Sequence, residues 1–181
     1  MKMIKNFATL EYGEVVQQYG TLRYKKVQPI WTNNPQEVKG RVPGSCFLYD
    51  DYAACLTEGE VFYEITHLEI MSDKLRQGYG TALIKEFMEK QQPTSICLRA
   101  GVLSEKLYNS LEEKGELMAY ILENIVPFWE SLGFTNVNGT VFSFEQCVPM
   151  LWPVEKAELA SKLAKEFREQ MDKDGADDKE G

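Results

Sequence analysis

Residues 61–90 read VFYEITHLEIM, then SDKLRQGYG, then TALIKEFMEK. Val61 to Met71 has the aliphatic, aromatic and β-branched content of a strand. Read as regular alternation, it puts Phe62, Glu64, Thr66, Leu68 and Ile70 on one face. Tyr63, Ile65, His67 and Glu69 take the other. Neither face is purely apolar, so the strand carries polar groups inside the fold or at a cleft. Ser72 to Gln77 forms a link. From about Gly80 to Lys90, the residues Ala82, Leu83, Phe87 and Met88, with Ile84 beside them, make one side of a helix. Pro93 ends that helix, and Thr94 to Arg99 reads as the next strand. Strand, glycine turn, helix and strand form a βαβ crossover, so the class is α/β and part of the sheet is parallel.

The chemistry sits in Arg76-Gln77-Gly78-Tyr79-Gly80-Thr81, between that strand and that helix. Glycines there allow a tight turn and expose main-chain N–H groups at a helix start, which suits a phosphate or diphosphate. The segment lacks the lysine and spacing of a P-loop, and it has two of the three glycines of a dinucleotide fingerprint. Taken alone, it is a weak signal, and plain turn geometry is the simpler reading.

Outward from this centre, Glu14 to Tyr19 predicts a short helix stopped by Gly20, and Leu22 to Ile30 a strand interrupted near Pro29. Thr32 to Gly44, with its prolines, glycines and asparagines, predicts a long loop. Ser45 to Asp50 and Tyr52 to Leu56 read as strands, with a turn at Thr57 to Glu60. Ser104 can cap a helix carrying Leu107 and Leu111, and Gly115 breaks it. A second helix from about Glu116 to Leu132 is kinked or divided at Pro127 and stopped by Gly133, where Phe134 packs back. Thr140 to Val148 predicts a final strand and Pro149 to Val154 a linker. Glu155 to Met171 predicts an amphipathic helix whose stripe is Ala157, Ala160, Leu163, Ala164, Phe167 and Met171. That stripe docks on the same domain or on a second copy. Asp172 to Gly181 reads as a disordered acidic tail.

With 28 acidic and 20 basic residues, the net charge is −8 and the pI about 4.8. Extensive phosphate-backbone binding is thereby disfavoured, so no direct nucleic-acid binding is expected, and cationic partners are favoured. Cys46, Cys55, Cys97 and Cys147 form no CxxC pair, and His67 is the single histidine, so a structural zinc site is not supplied. A carboxylate-only magnesium site stays open. No apolar run has the length of a signal peptide or a membrane span. These features lead us to expect a cytoplasmic chain with no membrane association and no metal.

The whole run from Tyr63 to Lys90 resembles the central motif of the Gcn5-related N-acetyltransferase (GNAT) superfamily. In that family a strand leads into a loop written Gln/Arg-x-x-Gly-x-Gly/Ala and then a helix. Phe128-Trp129-Glu130-Ser131-Leu132-Gly133-Phe134 is similar to the family's Phe-Tyr-x-x-Leu-Gly-Phe helix end, and GTVFSFEQ to its closing strand. The resemblance covers roughly residues 45–149. It implies a mixed, centrally splayed β-sheet flanked by helices, to which the C-terminal amphipathic helix is an addition. The division is then an acetyltransferase domain over 1–150, a docking helix over 151–171 and a tail over 172–181.

The resemblance further implies acetyl-CoA as cosubstrate. Its diphosphate is held by the amides of the loop Leu75-Arg76-Gln77-Gly78-Tyr79-Gly80-Thr81, and its pantetheine arm by main-chain groups of Ile70 and Met71. Two positions depart from the family pattern. Leu75 occupies the place of the usual Gln or Arg, with Arg76 one residue later. Trp129 replaces the Tyr that serves many members as general acid, and an indole cannot take that role. Tyr108, Tyr120 or water can substitute, and Trp129 becomes a wall of the site or a plain core aromatic. In the histone-acetylating branch a catalytic Glu precedes a hydrophobic run, and the match falls on Glu64. Glu69, nearer the loop, is the second candidate base. His67 titrates in a useful range, and Cys97 lies in the strand beside the cofactor. Each has a structural reading as well, a hydrogen-bond partner for His67 and a small buried hydrophobe for Cys97.

These residues imply an N-acetyltransferase moving an acetyl group to a primary amine of a small molecule or protein by direct attack within a ternary complex. The alternative is an inactive member of the same fold, an acyl-CoA-binding or protein-interaction module, to which Leu75 and Trp129 point. A third reading takes the chain as an α/β interaction module using its last helix. The chain is expected to be a monomer or a homodimer.

Overall fold

The computed structural model describes residues 2–38, 48–137 and 147–177, with the side chains at 48, 50, 51, 167, 168 and 171 outside the description. Strands β1 (Met3–Gln17) and β2 (Gly20–Thr32) form a long antiparallel hairpin. After a short helix α1 (Leu48–Ala53), β3 (Phe62–Ile70) pairs antiparallel with β2. Helix α2 (Tyr79–Gln91) crosses over to β4 (Ile96–Ala100), which lies parallel to β3. The next helices are α3 (Glu105–Glu113), α4 (Leu117–Tyr120) and α5 (Val126–Ser131), the last two joined by a π turn at Ile121–Ile125. Strands β5 (Thr135–Asn136) and β6 (Val148–Trp152) and helix α6 (Val154–Asp177) complete the chain. Among the described residues the sheet has six strands in the order β1-β2-β3-β4-β6-β5.

The sheet separates two cores. Tyr24, Tyr63, Ile65, Leu98 and Met150 face the first, against Leu83, Ile84 and Phe87 of α2 and Ile121, Val126 and Trp129 of the α4–α5 arm. Val27, Phe62, Cys97 and Leu151 face the second, against Tyr52 of α1 and Ala157 and Ala160 of α6. Several local expectations hold. Ser104 Oγ accepts from Leu107 N at 3.3 Å. Gly115 and Gly133 stop their helices with φ of +69° and +91°. Pro127 divides its helix: with no N–H to return to the preceding turn, it follows directly on the π segment.

Several expectations are corrected: Leu48 to Asp50 belongs to helix α1 and not to a strand, and β2 runs uninterrupted through Pro29, which pairs with Phe7. Glu14 to Tyr19 is not helical; Val15 and Val16 are β-branched, and the hairpin register carries the strand to Gln17 opposite Gly20. Gly20 closes the hairpin turn, where a Cβ would come within 2.6 Å of the Glu69 carbonyl oxygen. Tyr52 to Leu56 is not a strand: α1 places Tyr49 and Tyr52, three residues apart, on Phe62 at centroid distances of 5.5 and 5.0 Å. The linker expected at Pro149 to Val154 is strand β6 up to Trp152, where Pro149 pairs with Arg99 and its carbonyl accepts from Val137 N at 3.1 Å.

A further correction concerns β3. Arg23 pairs with His67 and Tyr24 with Ile65, so Thr66 is a bulge that reverses the alternation. Leu68 and Ile70 therefore join the α2 face with Tyr63 and Ile65, and His67 and Glu69 take the side of Phe62 and Glu64. Helix α6 continues through Asp177, six residues past the expected end. Its Ala157, Ala160 and Ala164 are buried against their own domain. Of the strand expected over Thr140 to Val148, residues 140–146 lie outside the described residues and Val148 opens β6; the side chains of Phe167 and Met171 also lie outside them.

Candidate active site

Strands β3 and β4 pair over three positions only: Tyr63 with Ile96, Glu64 with Cys97 and Ile65 with Leu98. Beyond Ile65 the Thr66 bulge turns β3 away, and the two strands diverge. A cavity of about 560 Å³ opens from that point. One wall is Ile65 to Leu68 with Ile70, the other Leu98 to Leu103. Tyr120, Asn124, Ile125, Phe128 and Trp129 of the α4–α5 arm line it further, and its mouth lies at Lys74 to Arg76 and Gly78 to Thr81.

At that mouth α2 begins without a side-chain cap. Gly78 sits at φ +87°, and the first helical bond runs from Ala82 N to Gly78 O at 3.1 Å. The amides of Tyr79, Gly80 and Thr81 precede it and have no acceptor within the helix. Gly80 sits at a close approach: a Cβ there would lie 3.1 Å from Phe128 Cζ, so the ring would have to give by a few tenths of an ångström. Arg76 also adopts a positive φ, +62°.

The tip of the β1–β2 hairpin braces this loop. Met71 N donates to Tyr19 O at 2.9 Å, the Lys74 ammonium lies 4.8 Å over the Tyr19 ring, and Tyr19 meets Tyr79 edge-on at 4.7 Å. Gln17 Nε2 donates to Ala82 O at 3.4 Å. Reading residues 14–19 as a helix hides this support, since only the hairpin register brings Tyr19 to the loop.

Of the residues expected at a cofactor site, Ile70, Leu75, Arg76, Gly78, Tyr79, Gly80, Thr81 and Trp129 line the cavity. Met71 and Gln77 do not; the Met71 amide is engaged by Tyr19, and Gln77 Nε2 donates to Asp73 O at 3.3 Å. Trp129 is both wall and core: it is buried, edge-on to Phe128 at 5.1 Å and to Phe134 at 5.2 Å. Tyr120 lines the cavity, while Tyr108 packs along the first core outside it. Lys74, Asn124 and Arg99 also line it and are missed from the sequence, because no local pattern marks them.

Glu64 lies beside the divergence, on the sheet face away from α2. Its side chain is 14% exposed, and its Oε2 is 3.8 Å from Lys25 Nζ. Burial raises its pKa above the usual carboxylate range, opposed by the charges of Lys25 and Arg99. Glu69 is exposed, opposite Thr21. Cys97 is fully buried, and burial together with Glu64 pushes its thiol up. Among the described residues, no group of three or more His, Cys, Asp or Glu side chains is placed to hold a metal, and no helix is long and apolar enough to cross a membrane.

Among the described residues the fold is a GNAT-like α/β architecture: a mixed sheet flanked by helices on both faces, whose parallel pair β3–β4 diverges over a glycine-opened helix start, with an added C-terminal helix. No family profile and no curated protein matches the chain. Among solved structures, the NatC complex bound to Gag peptide and CoA is similar over 75% of this chain and 60% of that chain, at 11% identity and a TM-score of 0.35. Histone acetyltransferase HPA2 and related acetyltransferase from Corynebacterium glutamicum is similar over 76% of this chain and 67% of that chain, at 15% identity and a TM-score of 0.34.

Proposed function

We propose that the chain is an acetyl-CoA-dependent N-acetyltransferase acting on a primary amine by direct attack within a ternary complex. The observation that carries this reading is the divergence of β3 from β4 after Ile65 and Leu98, into a cavity that ends at the uncapped start of α2. Such a cleft suits a long thioester with a diphosphate near its far end. The Tyr79, Gly80 and Thr81 amides receive the diphosphate, and Lys74 and Arg76 add positive charge. Past the bulge, the β3 backbone has no β4 partner, so its polar groups are available to the amides of the pantetheine arm.

Glu64 accepts the proton that the acceptor ammonium must lose, and Tyr120 returns one to the departing sulfur. After the first proton has gone to Glu64, the neutral amine nitrogen bonds to the acetyl carbon as the carbon–sulfur bond breaks; the second nitrogen proton then replaces, through solvent, the one that Tyr120 gives to the sulfur. Main-chain N–H groups of β3 past Ile65, which have no β4 partner, hold the thioester oxygen as negative charge grows on it.

Calorimetry with acetyl-CoA and thiol release with a panel of amines test this reading. Gly80→Glu should abolish acetyl-CoA binding in a folded protein, by steric block against Phe128 and by like charge at the phosphates. Unchanged affinity in that variant would remove this site from the account. Leu75 and Trp129 favour a second reading, binding of acyl-CoA without turnover; tight binding with no thiol release for any amine would decide for it.

A further inference from the structure

We infer that Tyr19 is a positioning residue for the diphosphate: its ring holds the Lys74 ammonium at the mouth of the cleft, where Lys74 supplies the polar contact that Leu75 cannot. This rests on the cofactor reading above and deepens it. Leu75 lines the mouth with an exposed apolar side chain that carries neither charge nor donor. Lys74, the residue before it, lines the same mouth and sets its ammonium 4.8 Å over the Tyr19 ring. That separation is within the reach of a cation–π contact.

Tyr19 is distant in sequence and fixed in space. Gln17 pairs with Gly20, so Gln18 and Tyr19 alone make the hairpin turn. Gly20 and Thr21 pair in their turn with Ile70 and Glu69 at the end of β3. A Cβ on Gly20 would lie 2.6 Å from Ile70 Cδ1 and 3.1 Å from Leu83 Cδ1, so the turn is seated directly on β3 and α2. The Tyr19 carbonyl accepts from Met71 N at 2.9 Å, and its ring meets Tyr79 edge-on at 4.7 Å. One side chain thus touches both ends of the loop, Lys74 where it begins and Tyr79 where α2 starts. All three side chains are half-buried.

A lysine has a long flexible stem, and fixing it on a phosphate costs entropy. On the Tyr19 ring part of that ordering is complete before the ligand arrives. The ring takes one side of the ammonium, and the remaining N–H groups are available to a phosphate oxygen. The face of the ring carries this function, and the phenolic oxygen has no part in it.

The test is calorimetry of the full chain with acetyl-CoA. Tyr19→Phe keeps the ring and should bind within about twofold of wild type. Tyr19→Leu and Lys74→Gln should each weaken binding about tenfold. The double variant should be little weaker than either single one, because both remove the same contact. A Tyr19 that only shaped the loop would act independently of Lys74, and the two losses would multiply to about a hundredfold. Tyr19→pentafluorophenylalanine keeps the ring's shape and reverses its quadrupole; it should bind as weakly as Tyr19→Leu, and it decides the matter if Tyr19→Leu does not fold. Multiplied losses in the double variant, wild-type affinity in Tyr19→Leu, or a fluorinated ring that binds as well as Tyr19→Phe would each overturn the inference and leave the cofactor site standing. A wild-type chain that binds no acetyl-CoA would overturn the cofactor reading, and this inference with it.

Discussion

At Glu64, burial and neighbouring charge oppose each other. Burial raises the folded pKa above its unfolded value, and Lys25 and Arg99 only partly offset this. A carboxyl shifted upward gives stability that is complete below the unfolded pKa and is lost as pH rises through the folded pKa. Glu64→Gln should therefore be more stable than wild type at pH 7, with the difference shrinking at pH 4; urea unfolding at both pH values measures it. If Glu64 is the base, the same variant should keep its acetyl-CoA affinity while turnover falls by about a hundredfold or more. That loss should shrink at high pH, where the amine is already neutral, and a pH–rate profile of unchanged shape and height would sink the assignment. The sequence points to Glu64 from its place before a hydrophobic run. It does not point to Lys25 or Arg99, because they meet Glu64 only through the register of three strands.

Helix α2 is the element on which the site depends, and its start is held by backbone conformation rather than by a capping side chain. At Gly78 a Cβ meets nothing within 4 Å, so Gly78→Ala tests the φ of +87° alone. It should cost about 1–2 kcal/mol, read from urea unfolding, and should weaken acetyl-CoA binding by moving the Tyr79 and Gly80 amides. A stability equal to wild type would show that the left-handed turn is not needed. Elements ruled by local chemistry are legible from the sequence: β3, α2 with Pro93 after it, the Ser104 cap, the stops at Gly115 and Gly133. Elements ruled by distant partners are not. Residues 14–17 become strand because β2 lies opposite, α1 forms where Tyr49 and Tyr52 meet Phe62, and Pro149 sits inside a strand because β4 and β5 flank it. The Thr66 bulge belongs to this second group, since nothing in the strand's own composition breaks the period of two. Yet it decides which side of the sheet carries His67 and Glu69, and it marks where the cleft begins.

Across the whole molecule, the sheet divides the work between its faces. The core against α2 and the α4–α5 arm carries the cavity, whereas the core against α1 and α6 carries none of its lining residues. Helix α6 is tied to the second core by Ala157 and Ala160, at 1% and 0% exposure, and by Lys156. The Lys156 ammonium lies 3.1 Å from Glu60 Oε1 and donates to Cys55 O at 3.0 Å. The small alanines let the helix approach closely enough for Leu163 to reach the same cluster. Ala160→Asp places a carboxylate in the apolar cluster that holds Tyr52, Cys97 and Leu151, where the nearest helix cation, Lys156 one turn earlier, is already engaged by Glu60 and the Cys55 carbonyl, which should cost roughly 3 kcal/mol or more. Because α6 is remote from the cavity, the variant's folded fraction should still bind acetyl-CoA. At a hundred times Kd, the ligand should restore about 2.7 kcal/mol in variant and wild type alike. Urea unfolding of both proteins, with and without acetyl-CoA, measures the two effects on one sample series. An equal loss of midpoint with an equal ligand gain is the expected result. A variant that unfolds normally but no longer responds to acetyl-CoA would show that α6 acts on the cleft and that the two faces are not independent.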